Sequence, residues 1–296
     1  MAPARDGVTM SEGRAAGTGQ GEAVHDKAEQ DRPEVTGGAV SGVFDVVVLG
    51  AGPVGEIAAD LAVQGGLSVA VVEVELVGGE CSYWACMPSK ALLRSGQVLR
   101  AALAVPGARE AVTGQLDAQA VLGRRDAFAS HYDDRHQVSW LDGAGITLVR
   151  GHGRLAGPRQ VDVTGAEGHT VLLTARHAVV VATGSAPVLP PVPGLGEARP
   201  WTNREATAAK QAPRRLAVLG GGVVAAELAT AWRDLGSEQV VVLERGPRLL
   251  ARVEPFAADA VTAGLRGRGV DVLVQGGYLF VFDRIFDRSL RRATDA

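Results

Sequence analysis

Cysteine is almost absent from this chain: only Cys81 and Cys86 occur in 296 residues. One close pair can shut only a small loop, so a fold held together by disulfides is excluded. Aromatic residues number 13, and lysine supplies only 3 of the 30 basic residues. No apolar run approaches the roughly 20 residues of a helical membrane span. No basic patch argues for nucleic acid. The formal charge of −3 lies in residues 1–42, which hold 4 basic and 7 acidic side chains; 30 less 4 and 33 less 7 leave 26 of each sign elsewhere. The N-terminus lacks the apolar core of a signal peptide, and a cytoplasmic protein is expected.

Glycine, by contrast, is abundant at 39 residues, and part of it falls into two similar patterns. Residues 44–49, apolar except for Asp45, read as a strand buried on both faces of a parallel sheet. Gly50-Ala51-Gly52-Pro53-Val54-Gly55 follows, then a helical stretch and a second strand, 69–72, ending at Glu73. In such a βαβ unit Gly50 permits the tight turn and Gly52 lets the backbone approach a pyrophosphate. Gly55 lets helix and strand pack closely, and Glu73 is placed for ribose hydroxyls. The order recurs with strand 216–219, Gly220-Gly221-Gly222-Val223-Val224-Ala225, a helix over 226–232, strand 240–243 and Glu244. Ala225 replaces the third glycine, a change the motif tolerates. Glu244 would bind a ribose 2′-OH and repel a 2′-phosphate, which favours NAD; Arg245 and Arg248 leave NADP open.

The two cysteines lie in Gly78-Gly79-Glu80-Cys81-Ser82-Tyr83-Trp84-Ala85-Cys86-Met87-Pro88-Ser89-Lys90. Three readings are open. A zinc site wants four ligands, and no Cys or His cluster lies nearby, so no metal is expected. Two unrelated buried thiols is the plain reading, since free cysteine packs as a small hydrophobe. A redox pair is the third, because close cytosolic thiols are usually catalytic or sensing. Pro88 fits the first turn of a helix, which would put Cys86 near the positive end of its dipole and favour a thiolate.

This stretch resembles the active-site disulfide segment of the class I pyridine nucleotide-disulfide oxidoreductases. That group includes dihydrolipoamide dehydrogenase and the glutathione, mycothione and mercuric reductases. The family pattern is Gly-Gly-x-Cys, four residues, Cys-x-Pro-Ser-Lys, and here Ala85 stands where the family usually has glycine. The resemblance covers roughly residues 43–275. It implies FAD at the first glycine turn and a nicotinamide nucleotide at the second. It implies a Cys81–Cys86 redox disulfide, with Cys86 on the flavin side and Cys81 meeting substrate. Lys90 would lie near the flavin ring, paired with Glu227. Arg150-Gly151-His152-Gly153 is similar to the family's contact with the FAD adenine, made through the backbone of His152 and Gly153. Ala182-Thr183-Gly184 looks like the exit from the FAD domain. The implied reaction passes electrons between NAD(P)H and a disulfide or dithiol substrate. Two other readings stay open: a truncated remnant that only binds nucleotide, and a flavoprotein that reduces quinones or dyes without the cysteines.

The expected class is α/β, with two Rossmann-like FAD/NAD(P)-binding domains, the second incomplete. The expected division is a disordered tail at 1–42, an FAD-binding domain at 43–195, a partial NAD(P)-binding domain at 196–277 and an atypical segment at 278–296. Within it, 91–142 reads as mainly helical, 160–174 as a hairpin and 177–181 as a buried strand before a proline-stiffened linker. Arg124-Arg125 and Asp133-Asp134-Arg135 read as solvated faces, and His131 and His136 as surface residues. The last segment gathers Tyr278, Phe280, Phe282 and Phe286 and resembles nothing in the family. The family would continue into a dimerisation domain that supplies a His-Glu pair from the partner of a homodimer. No histidine follows His177. A frameshifted or truncated end, with unpaired sheet edges, is the expectation.

Overall fold

The structure, a computed structural model, describes residues 42–275. The expectations for the tail before residue 42 and for 278–296 lie outside the described residues. The first βαβ unit is β1 (Gly42–Leu49), α1 (Pro53–Gln64) and β2 (Val69–Glu73). A helical stretch follows, with α2 (Gly79–Tyr83), α3 (Cys86–Ala104), α4 (Ala118–Phe128) and α5 (Arg135–Gly143). Then come β3 (Thr147–Arg150), β4 (His152–Gly157), β5 (Gln160–Thr164) and β6 (Thr170–Val181). These strands form one sheet in the order β3-β2-β1-β6-β5-β4. β1, β2, β3 and β6 run parallel, while β4, β5 and β6 form an antiparallel meander. The α/β class expected from the sequence is the class observed.

From Val46 to Leu49 β1 is apolar because both its faces are covered there. Val46 and Val48 pack with Ala59, Leu141 and Ile146 on the helical side. Val47 and Leu49 face Val161, Val163 and Leu173 of the meander. One correction concerns β6, which is a single 12-residue strand and not a hairpin arm followed by a separate strand. Its first part pairs with β5, and the strand then continues along β1. Its pairing with β1 carries a bulge: Phe44 pairs with Ala175 but Val46 with Ala178. Asp45 lies at the bulge, accepting from Ser68 N at 2.9 Å, Ser68 Oγ at 2.7 Å and Arg176 at 3.1 Å. The Ser68 bonds first, and then the guanidinium, hold its carboxyl down at about 2. The bulge breaks the apolar alternation, which is why the pattern reads as two strands.

The second sheet, β7 (Arg215–Leu219), β8 (Gln239–Glu244) and β9 (Val270–Val274), is parallel in the order β7-β8-β9. Its helices are α7 (Val223–Asp234) and α8 (Pro255–Arg266), and the short α6 (Asn203–Ala208) precedes it. A core of Leu92, Leu93, Leu122, Ala206, Leu228 and Trp232 joins α3 and α4 to α6 and α7. Two expected solvated faces are in part buried. Arg125 is fully enclosed. Asp134 accepts from Val77 N at 2.8 Å and pairs with Arg150. Arg135 does face water, at 88% exposure.

Candidate active site

The first glycine turn is fixed by contacts that leave no room for side chains at two of its three glycines. Gly50 has φ +96°, and a Cβ there would meet Ala182 O at 2.4 Å and Thr183 Cα at 3.2 Å. A Cβ on Gly55 would lie 1.9 Å from Gly50 O. Gly52 differs: a Cβ there would meet nothing within 4 Å. Open space beside the first residues of α1 is what a pyrophosphate needs, at the positive end of the helix dipole. The second turn has the same shape, with Gly220 at φ +101° and open space at Gly222. Its third position, Ala225, packs its methyl with Val240, Leu249 and Val272.

Both terminal acids brace their turns, a role the sequence reading missed. Glu73 accepts from Ala51 N at 2.7 Å and from Glu75 N at 2.8 Å. Glu244 accepts from Gly221 N and Gly246 N, each at 2.6 Å. A carboxylate has about four lone-pair sites, so each acid keeps acceptors beyond the two backbone donors. Thr183 and Gly184, at φ +70°, leave β6 against Gly50. Gly153, in β4, has a packing reason of its own: a Cβ there would press on Leu49 at 2.8 Å and Val72 at 3.1 Å.

The cysteine stretch docks onto the first turn. Gly78 N–H donates to Ala51 O at 2.7 Å, and a Cβ on Gly79 would meet Gly52 Cα at 2.8 Å. Gly78 and Gly79 have φ of +108° and +56°, so the sequence reaches this contact only through glycine. Cys81 lies in α2, and Cys86 is the first residue of α3. Between them Tyr83 is buried, its hydroxyl donating to Val77 O at 2.9 Å. Cys86 and Lys90 are one turn apart on one face of α3. Lys90 Nζ lies 2.8 Å from both oxygens of Glu227 on α7, and Ser89 Oγ donates to the same carboxylate at 2.9 Å. The structure thus brings Cys86, Lys90 and Glu227 to one place, where α3 meets α7.

Both thiols are free, with Cys86 exposed and Cys81 partly buried. Burial, and then the neighbouring Cys86, push the Cys81 thiol up to about 11. The order of exposure is opposite to the roles implied by resemblance, which make Cys81 the substrate-facing sulfur. Fewer thiolates at a given pH slow alkylation, a loss that the greater nucleophilicity of a more basic sulfur offsets only in part. With the chain reduced, iodoacetamide at pH 8 is therefore expected to label Cys81 about 10-fold more slowly than an ordinary thiol, as read by peptide mass spectrometry. Equal labelling with a free cysteine peptide would contradict this.

The family model described as pyridine nucleotide-disulphide oxidoreductase matches residues 44–278. A mercuric reductase from Acidithiobacillus ferrooxidans is 35% identical over 232 residues, covering 77% of this chain and 42% of that protein. One from Serratia marcescens is 36% identical, covering 78% of this chain and 50% of that protein. The fold is similar to that of the HOCl-induced flavoprotein disulfide reductase RclA from Escherichia coli, solved as a Cu(II) complex. The TM-score is 0.66 at 23% identity, over 80% of this chain and 50% of that one. The chain spans half or less of the length of these curated relatives.

Proposed function

The chain belongs to the pyridine nucleotide-disulphide oxidoreductase family, and on that premise we propose that it passes electrons between NAD(P)H and a disulfide or dithiol substrate through FAD and the Cys81/Cys86 pair. The observation that carries this reading is the docking of the cysteine stretch on the open Gly52 turn, through Gly78 N–H to Ala51 O at 2.7 Å. FAD at that turn, when bound, supplies the hydride-accepting and hydride-donating ring between nicotinamide and thiols.

The chain's own residues then have distinct tasks. The N–H groups at the start of α1 hold the pyrophosphate, and Glu73 takes ribose hydroxyls with its remaining acceptors. Gly153, Thr183 and Gly184 shape the wall of the same site. Lys90 keeps a positive charge beside Cys86, and Glu227 fixes its position. By the family resemblance, and against the order of exposure of the two thiols, Cys86 takes the flavin side and Cys81 exchanges with substrate. The turn at Gly220 and Gly222 with Glu244 holds the nicotinamide nucleotide, NAD in preference to NADP because Glu244 repels a 2′-phosphate. The first domain spans 43–195 and the second 196–277 in this proposal.

The test is an anaerobic NADH titration of the FAD-loaded chain. The flavin and the disulfide each store one electron pair, so the parent is expected to take up four electrons and Cys86→Ser two. A parent that stops at two electrons while still reducing quinones or dyes would support cysteine-independent chemistry. A chain that retains no FAD would support the nucleotide-binding remnant.

A further inference from the structure

The four-residue loop between the cysteines is gripped from outside by α6. Glu80, the residue before Cys81, accepts from Asn203 Nδ2 at 2.8 Å and from Arg204 Nε. The carbonyl of Trp84, in the middle of the loop, accepts from Asn203 Nδ2 and from Thr207 Oγ1, both at 3.1 Å. The Arg204 guanidinium lies over the Trp84 ring, 4.1 Å from its centroid. Its two Nη atoms reach Glu75 at 2.9 and 2.7 Å. All three nitrogens of the fork are therefore used, which a lysine could not reproduce.

α6 is itself rigidly held. Thr202 and Glu205 form a capping box at its start. The buried Arg125 donates to Thr207 O and, at 3.0 Å, to Ala209 O. A short helix so anchored can hold the loop in one shape.

We propose that α6 is a splint for the dithiol, with Arg204 as the positioning residue that presets the separation of the Cys81 and Cys86 sulfurs for disulfide closure. The inference rests on the redox reading given under Proposed function. Arg204 acts through the loop, because its contacts are to Glu75, Glu80 and the Trp84 ring. Closing the disulfide from two thiols depends on how often the sulfurs meet, and freedom in the loop lowers that effective concentration.

The test uses the full chain in dithiothreitol redox buffers. The Cys81 and Cys86 hydrogens and their electron pair pass to oxidised dithiothreitol, which opens to its dithiol while the protein disulfide forms. Acid quench, alkylation and mass spectrometry then give the equilibrium constant without any need for flavin. Arg204→Ala is expected to lower that constant about 10-fold, equal to about 30 mV in potential. Arg204→Lys is expected to recover only part of it. Arg214→Ala, which removes a remote exposed charge paired with Glu238, is expected to leave it unchanged. Should Arg204→Ala fail to fold, Thr207→Val removes one of the bonds to the Trp84 carbonyl, with an expected loss of about 3-fold. Constants within about 2-fold of the parent in these α6 variants would overturn the splint. A parent that forms no Cys81–Cys86 disulfide in any buffer would instead remove the redox reading beneath it.

Discussion

Gly55→Ala is expected to cost about 3 kcal/mol and lower the thermal midpoint by roughly 10 °C, whereas Gly52→Ala leaves stability within about 0.5 kcal/mol and weakens nucleotide binding. Both glycines belong to one turn, and only the surroundings separate them. At Gly55 the added Cβ would lie 1.9 Å from the Gly50 main-chain oxygen. No side-chain rotation relieves a clash with backbone, so α1 must move off the end of β1. Alanine's helix propensity favours the substitution by about 1 kcal/mol, too little to offset that movement. At Gly52 the backbone has φ −75° and ψ 179°, which any residue adopts, and the Cβ meets nothing within 4 Å. The methyl would occupy the space assigned here to a pyrophosphate, and FAD binding is expected to fall by about 10-fold or more, roughly the effect of one lost close contact. Thermal melts and flavin fluorescence on the two variants separate the effects. Equal losses of stability in both would show that the glycines serve packing alone. The second turn is a natural control, since Ala225 occupies the place of Gly55 and packs there without conflict.

The parts of this fold set by short-range chemistry were legible in the sequence. The run at 44–49 announces a strand covered on both faces, and Gly50-Ala51-Gly52-Pro53-Val54-Gly55 announces the turn and the start of α1. Pro88 marked the first turn of α3, with Cys86 as its first residue. What was not legible depends on partners distant in sequence. β6 looked like two strands because a bulge between Ala175 and Ala178 interrupts its alternation, and alternation carries no sign of which neighbour a residue has. β4 escaped notice because it is largely exposed and has no apolar period. Glu73 and Glu244 carried a ribose signal but none for bracing the glycine turns, since the turn donors, Ala51 and Gly221, lie 22 and 23 residues earlier. The grip of Asn203, Arg204 and Thr207 on Glu80 and Trp84 spans about 120 residues. Only one cue could have exposed it: Thr202 and Glu205 at capping-box spacing mark a helix that then offers an asparagine, an arginine and a threonine.

Arg125 is the clearest case in which burial reverses a reading of charge, and its removal is the second large effect expected. Arg124-Arg125 looks like a polar helix face, yet Arg124 reaches Ala91 O at 2.8 Å and Arg125 is fully enclosed. The Arg125 guanidinium donates to Thr207 O and Ala209 O at the end of α6, and its Nε pairs with Asp126 at 2.8 Å. Burial by itself would push the Asp126 carboxyl up; Lys210 and Arg125 outweigh it and hold the carboxyl below its usual range. Arg125→Ala would leave one buried carbonyl oxygen, that of Thr207, and one partly buried, that of Ala209, without this donor, and a cavity the length of the side chain, at a cost of about 3–5 kcal/mol. Arg125→Met fills the cavity but satisfies neither carbonyl, so it is expected to recover less than half of that loss. Urea unfolding of the three proteins measures the difference. Were methionine to restore full stability, the side chain would matter for its volume and not for its donors. Asp126 keeps Lys210 at 3.0 Å in both variants, so an unpaired carboxylate cannot account for the cost. The charge is retained in this core because two peptide oxygens at the end of a six-residue helix require donors that no apolar side chain can supply.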